Sequence, residues 1–93
     1  MGNIQYVNID MRRTGMQLKR RITDAGYTVK DIQEWLHLSY PQSIYRWFQG
    51  QILPSIDHLY MLSKVLGIHM EDLIVPKQLF NWKTLLYEDK RMV

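Results

Sequence analysis

The sequence predicts an all-α fold, on three observations. Single Gly and Pro residues cut the chain into helix-length pieces, and the apolar residues inside those pieces recur at spacings of three and four. In addition, two pieces open on a Ser or Thr with an acid or amide three residues later, the pattern of a helix start.

Residues 3–9 come first; Ile4, Tyr6, Val7 and Ile9 are too few to decide between a strand and an ordered lead-in that packs on the domain, and the stretch is read as a lead-in. From about Met11, the apolar residues Met11, Leu18, Ile22 and Ala25 share one helical face, and Gly26 is a natural stop for a first helix. "TVKD", Thr28 to Asp31, is a capping box, and Val29, Ile32, Trp35 and Leu36 are spaced for the buried face of a second helix ending near His37. Ser39 and Gln42 repeat the capping pattern with Pro41 in the first turn, so a third helix is expected from about Tyr40 to Gln49, stopping at Gly50. After the extended entry that Pro54 imposes, Ser55 can cap a fourth helix carrying Ile56, Leu59, Tyr60, Leu62, Ser63 and Leu66 and ending at Gly67. A brief fifth helix is expected over Met70 to Ile74, before Pro76. In the tail, Leu79, Trp82, Leu85 and Leu86 fall at helical spacing and predict a sixth. The division that follows is one domain over residues 1–75 and a helical tail over 76–93.

The bulk numbers agree with this plan. A chain of 93 residues has room for one small domain and no separate effector domain. At 46% hydrophobic and 23% charged residues it is expected to fold, and with no cysteine it must do so by packing alone. The opening "MGNIQYVNID" lacks the basic and apolar regions of a signal peptide and no run is long enough to span a bilayer, so a cytoplasmic location is expected. The net charge of +3 is unevenly spread, with seven Lys or Arg between residues 12 and 46 against Asp24, Asp31 and Glu34. A basic first half attracts polyanions.

The third helix carries the functional signal. Ile44, Trp47 and Phe48 form an apolar stripe, while Gln42, Ser43, Arg46 and Gln49 form a polar one on another face. Two short helices joined by a tight turn, the second with an inner apolar and an outer hydrogen-bonding stripe, are what a helix-turn-helix requires. Gln can pair bidentately with adenine and Arg with guanine, while Ser can serve as donor or acceptor. No Asp or Glu stands between Tyr40 and Ile56, where a carboxylate would meet phosphate repulsion.

The stretch "YTVKDIQEWLHLSYPQSIYRWFQGQILPSIDHLYMLSKVLGIHMEDLIV" resembles the five-helix, lambda-repressor-like DNA-binding domain of the phage repressor and Cro type, the XRE family. The resemblance covers Met16 to Val75 and rests on the order of the capped second helix, "PQSIYRWFQG", "LPS" and "LYMLSKVLGIHMEDLI". It implies a transcriptional regulator, such as a repressor, that binds double-stranded DNA. A homodimer is expected on separate grounds: single domains hold short half-sites weakly while two-fold dimers read paired ones, and the tail stripe, Leu79 to Leu86, can either close over its own domain or pair with a second copy. It also implies base contacts from Gln42, Ser43 and Arg46 with Tyr45 alongside, and phosphate contacts from Thr28, Lys30, Gln49 and Gln51. Three departures stand out: Gln33 replaces a small residue of the second helix, His37 replaces the usual Gly of the turn, and Phe48 occupies a position that is often Glu. Aligning Ile32 and Ile44 with the family pattern also requires one extra residue in the turn.

Trp35, Trp47 and Tyr60 suit core packing better than stacking on single strands. His37, His58 and His69 share no ligand spacing, so no metal site or cofactor is expected. With no phosphate loop, nucleophile elbow or metalloprotease motif, an enzyme has no residues to rest on. The competing class is a protein-interaction module, antitoxin-like or an adaptor, that keeps the same scaffold and presents Tyr45, Phe48 and the tail to a protein.

Overall fold

The computed structural model describes residues 7–77. Over this span there are four α-helices, α1 (Met11–Asp24), α2 (Val29–Trp35), α3 (Gln42–Phe48) and α4 (Ile56–Leu66), followed by a 3-10 helix, Met70–Leu73. The expected sixth helix lies outside the described residues. None of the described helices is long and apolar enough to cross a membrane.

The ends of these helices follow local chemistry. Asp10 caps α1 by accepting from the Arg13 amide, and Gly26 takes the left-handed conformation beyond the α1 C-terminus at φ 84°. The Thr28–Asp31 capping box forms in full. Ser55 caps α4 and Gly67, at φ 69°, ends it.

The start of α3 differs from the sequence expectation: it begins at Gln42, with Pro41 at the N-cap and no side-chain cap bond. The residue before a proline is disfavoured in the helical region, which excludes Tyr40 from the helix and leaves Ser39 too far back to cap it. The fifth segment is a single 3-10 turn ending at Leu73, too short for the wider α pattern to propagate.

The core is built from Leu18 and Ile22 of α1, Ile32 of α2 and Leu36 just beyond its end, Ile44 and Trp47 of α3, Leu59 and Leu62 of α4, and Leu73. Two of the three aromatics expected there are not in it. Trp35 is 38% exposed and meets Tyr27 edge-on at 4.9 Å, because Ile32 and Leu36 take the centre of the buried face of α2 and leave Trp35 on its flank. Tyr60 is 54% exposed with the Lys64 ammonium 5.0 Å from its ring centroid. Ile56 and Ala25, also placed on apolar faces from their spacing, are exposed near helix ends, where the inner face has left the core.

Two contacts lock the scaffold, and both use residues with small side chains. α1 crosses the end of α3 at Gly15, where an added Cβ would lie 2.3 Å from the Trp47 carbonyl oxygen and 2.6 Å from that of Phe48. Thr14, 1% exposed, accepts from the Val75 amide at 3.0 Å. The lead-in joins the same segment: the Asp10 amide donates to the Val75 carbonyl and the Lys77 amide to the Asn8 carbonyl, both at 2.7 Å, around an antiparallel bridge between Ile9 and Pro76.

Candidate nucleic-acid interface

α3 sorts its residues as the helical wheel predicts. Ile44 and Trp47 are buried, Phe48 is half-buried, and Gln42, Ser43, Tyr45, Arg46 and Gln49 are exposed. Tyr45 keeps 49% of its surface and meets Phe48 edge-on at 6.5 Å, so its ring is held on one side while about half of the residue stays exposed. Among the described residues Arg46 has no acidic partner, which leaves its guanidinium available to an external acceptor.

The turn that aims α3 is longer than a typical helix-turn-helix connection of three to four residues. Six residues, Leu36 to Pro41, separate α2 from α3. His37 takes the left-handed conformation at φ 56°, the role a glycine fills at lower cost. Gln33, half-buried on α2, donates through Nε2 to the Ser39 carbonyl at 3.3 Å and braces the added length. Two departures from the family pattern thus act together: the long turn supplies a carbonyl, and the large amide side chain reaches it.

The remaining candidates gather at the two ends of the unit. At the start of α2, the Thr28 hydroxyl accepts from the Asp31 amide at 3.1 Å and the Asp31 carboxylate accepts from the Thr28 amide at 2.9 Å. The capping box therefore uses the Thr28 and Asp31 amides, while those of Val29 and Lys30 have no intrahelical acceptor and remain as donors. At the end of α3, Gln51 Nε2 donates to Gln49 Oε1 at 2.7 Å, which joins the two loop candidates. Gly50 sits between them at φ 75°, and the Gln51 amide returns to the Arg46 carbonyl at 2.9 Å. A side chain at Gly50 would strike the backbone of α1, since its Cβ would lie 2.8 Å from Arg12 Cα.

The sequence separates the exposed and buried faces of α3, as the structure has them, but its apolar spacing gives no notice of Thr14, Gly15 or the seat of Gly50 on α1. A signal for Gly15 was present, because a lone glycine inside a helical pattern is costly unless a neighbour needs the space. Nothing local marked Thr14, whose partner is 61 positions away.

A fold of this kind, with a capped α2, a braced turn and an exposed polar face on α3, defines a helix-turn-helix protein. The helix-turn-helix family model matches residues 18–73, and the chain belongs to that family, the XRE or Cro-type class of DNA-binding transcriptional regulators. Among solved structures, the chain is similar to the restriction-modification controller protein C.AhdI from Aeromonas hydrophila. The TM-score is 0.61 and the identity 20%, over 69% of this chain and 96% of that one, a likeness of fold. No curated protein matches significantly.

Proposed function

We propose that this protein is a sequence-specific regulator that reads the major groove of duplex DNA with α3 and acts as a homodimer on paired half-sites. The observation that carries the reading is the division of α3: Ile44 and Trp47 are buried while Gln42, Ser43 and Arg46 are exposed on a helix without a carboxylate. Those three side chains match the groove edges of adenine and guanine, and Tyr45 can meet a thymine methyl or the backbone. Thr28, Lys30, Gln49 and Gln51 would set register on the phosphates and carry little sequence information. The protein-partner reading is weaker on this face, because the fully exposed neighbours of Tyr45 on α3, Gln42, Ser43, Arg46 and Gln49, are polar or cationic, and Phe48 is half-buried.

The test is equilibrium binding to duplexes at several salt concentrations. Binding is expected, and it weakens steeply as salt rises because each neutralised phosphate releases a counterion. Absence of binding to any duplex at low salt refutes the reading. Dimeric action further predicts that two half-sites spaced one helical turn apart, about 34–36 Å, bind more tightly than the same half-sites half a turn out of phase.

A further inference from the structure

We infer that Arg12 and Lys19 of α1 form a second line of contacts to the DNA backbone, beside the one assigned to the ends of α2 and α3. The inference rests on the DNA reading above and asks which of the basic residues on α1 take part.

Five basic residues lie on α1, and their surroundings differ. Arg13 is paired with Asp10 at 3.8 Å, and Arg20 lies 4.0 Å from Asp24 while also donating to Gln17 at 2.7 Å. Arg21 is half-buried on the side of α1 that faces Leu66 and Ile68. Arg12 and Lys19 are exposed and have no ion pair among the described residues.

These two unpaired cations are also the two placed beside the phosphate candidates. Arg12 packs its backbone on Gly50, between Gln49 and Gln51. Lys19 lines a groove together with Thr28 and Gln49, one from each flanking segment. Arg12, Met16, Lys19 and Thr23 follow one another at spacings of four, three and four, so they run along a single face of α1. The groove includes the last three of these residues and is closed on the opposite side by Tyr45 and Phe48. A backbone strand held at Thr28 and Gln49 would therefore pass within reach of Lys19, and one held at Gln49 and Gln51 within reach of Arg12. A cation without a protein partner gives up no ion pair on meeting a phosphate, whereas Arg13 and Arg20 would.

The test measures binding to a mixed-sequence duplex by fluorescence anisotropy over a range of salt concentrations, for the wild type and for Arg12→Ala, Lys19→Ala, Arg13→Ala and Arg20→Ala. The slope of log K against log salt is expected to become shallower by about 0.9 for Arg12→Ala and again for Lys19→Ala, and to change little for the other two. Arg12→Lys and Lys19→Arg should keep the wild-type slope. If all four alanine variants shift the slope equally, or if Arg12→Ala and Lys19→Ala leave it unchanged, the assignment is wrong while the DNA reading stands. A wild type that binds no duplex removes both.

Discussion

Replacing Gly15 by Ala tests the crossing that fixes the angle of α3. The new Cβ would lie 2.3 Å and 2.6 Å from the Trp47 and Phe48 carbonyl oxygens and 2.9 Å from the Phe48 carbonyl carbon. The shortest of these is about 0.7 Å inside the 3.0 Å that real Cβ contacts respect, and all three neighbours are backbone, so no side chain can rotate away. Overpacking of this kind costs about 1–3 kcal/mol, and a rigid neighbour puts Gly15 toward the upper end. Against that stands a gain of about 0.5–1 kcal/mol from replacing glycine inside a helix. The net expectation is a loss of about 2 kcal/mol. In a domain of this size that lowers Tm by roughly 8–16 °C. Thermal denaturation followed by circular dichroism measures it directly. The Trp47 carbonyl also accepts from the Gly50 amide at 3.0 Å, so the same push loosens the turn that carries Gln49 and Gln51, and duplex binding should weaken as well. An unchanged or raised Tm would refute the close crossing.

The other predictions concern Thr14, His37 and Gly50. Thr14→Val keeps the shape but removes the acceptor of the Val75 amide, and losing this part-buried hydrogen bond is expected to cost about 1 kcal/mol, readable as a lower urea midpoint. His37→Gly relieves a left-handed residue, whose strain of about 1–2 kcal/mol is partly offset by the greater freedom of glycine in the unfolded chain. The expected result is a stability gain of roughly 0.5–1 kcal/mol in the same urea assay. Gly50→Ala combines a positive φ with a clash against Arg12 Cα, and should reduce both stability and duplex affinity in parallel titrations.

The parts of this protein legible in its sequence are those set within a few residues. The Thr28 capping box, the Ser55 cap, the Gly26, Gly50 and Gly67 stops and the two faces of α3 each depend on near neighbours and were readable from spacing. The α3 start was misplaced because the restriction Pro41 imposes on Tyr40 outweighed the capping pattern of Ser39 and Gln42. Trp35 and Tyr60 were misassigned because periodicity says which face a residue shares and not how far the core extends across it. Gly15, Thr14 and the Gly50 seat on α1 are contacts between distant segments, and the sequence carries them only as small residues with no evident local reason. For the candidate site, the exposed polar face of α3 was legible, while the brace from Gln33 to the Ser39 carbonyl required the turn in three dimensions.

The proposed function depends on base reading by the outer face of α3. Selection of bound duplexes from a random pool, run in parallel with the wild type and Arg46→Ala, tests it most directly. The wild type is predicted to enrich one short motif, and Arg46→Ala to lose discrimination at a single guanine position, weakening the preferred site by about 1–3 kcal/mol. Enrichment of the same motif by both proteins, with equal loss of affinity on every sequence, would contradict the claim and make Arg46 a backbone contact.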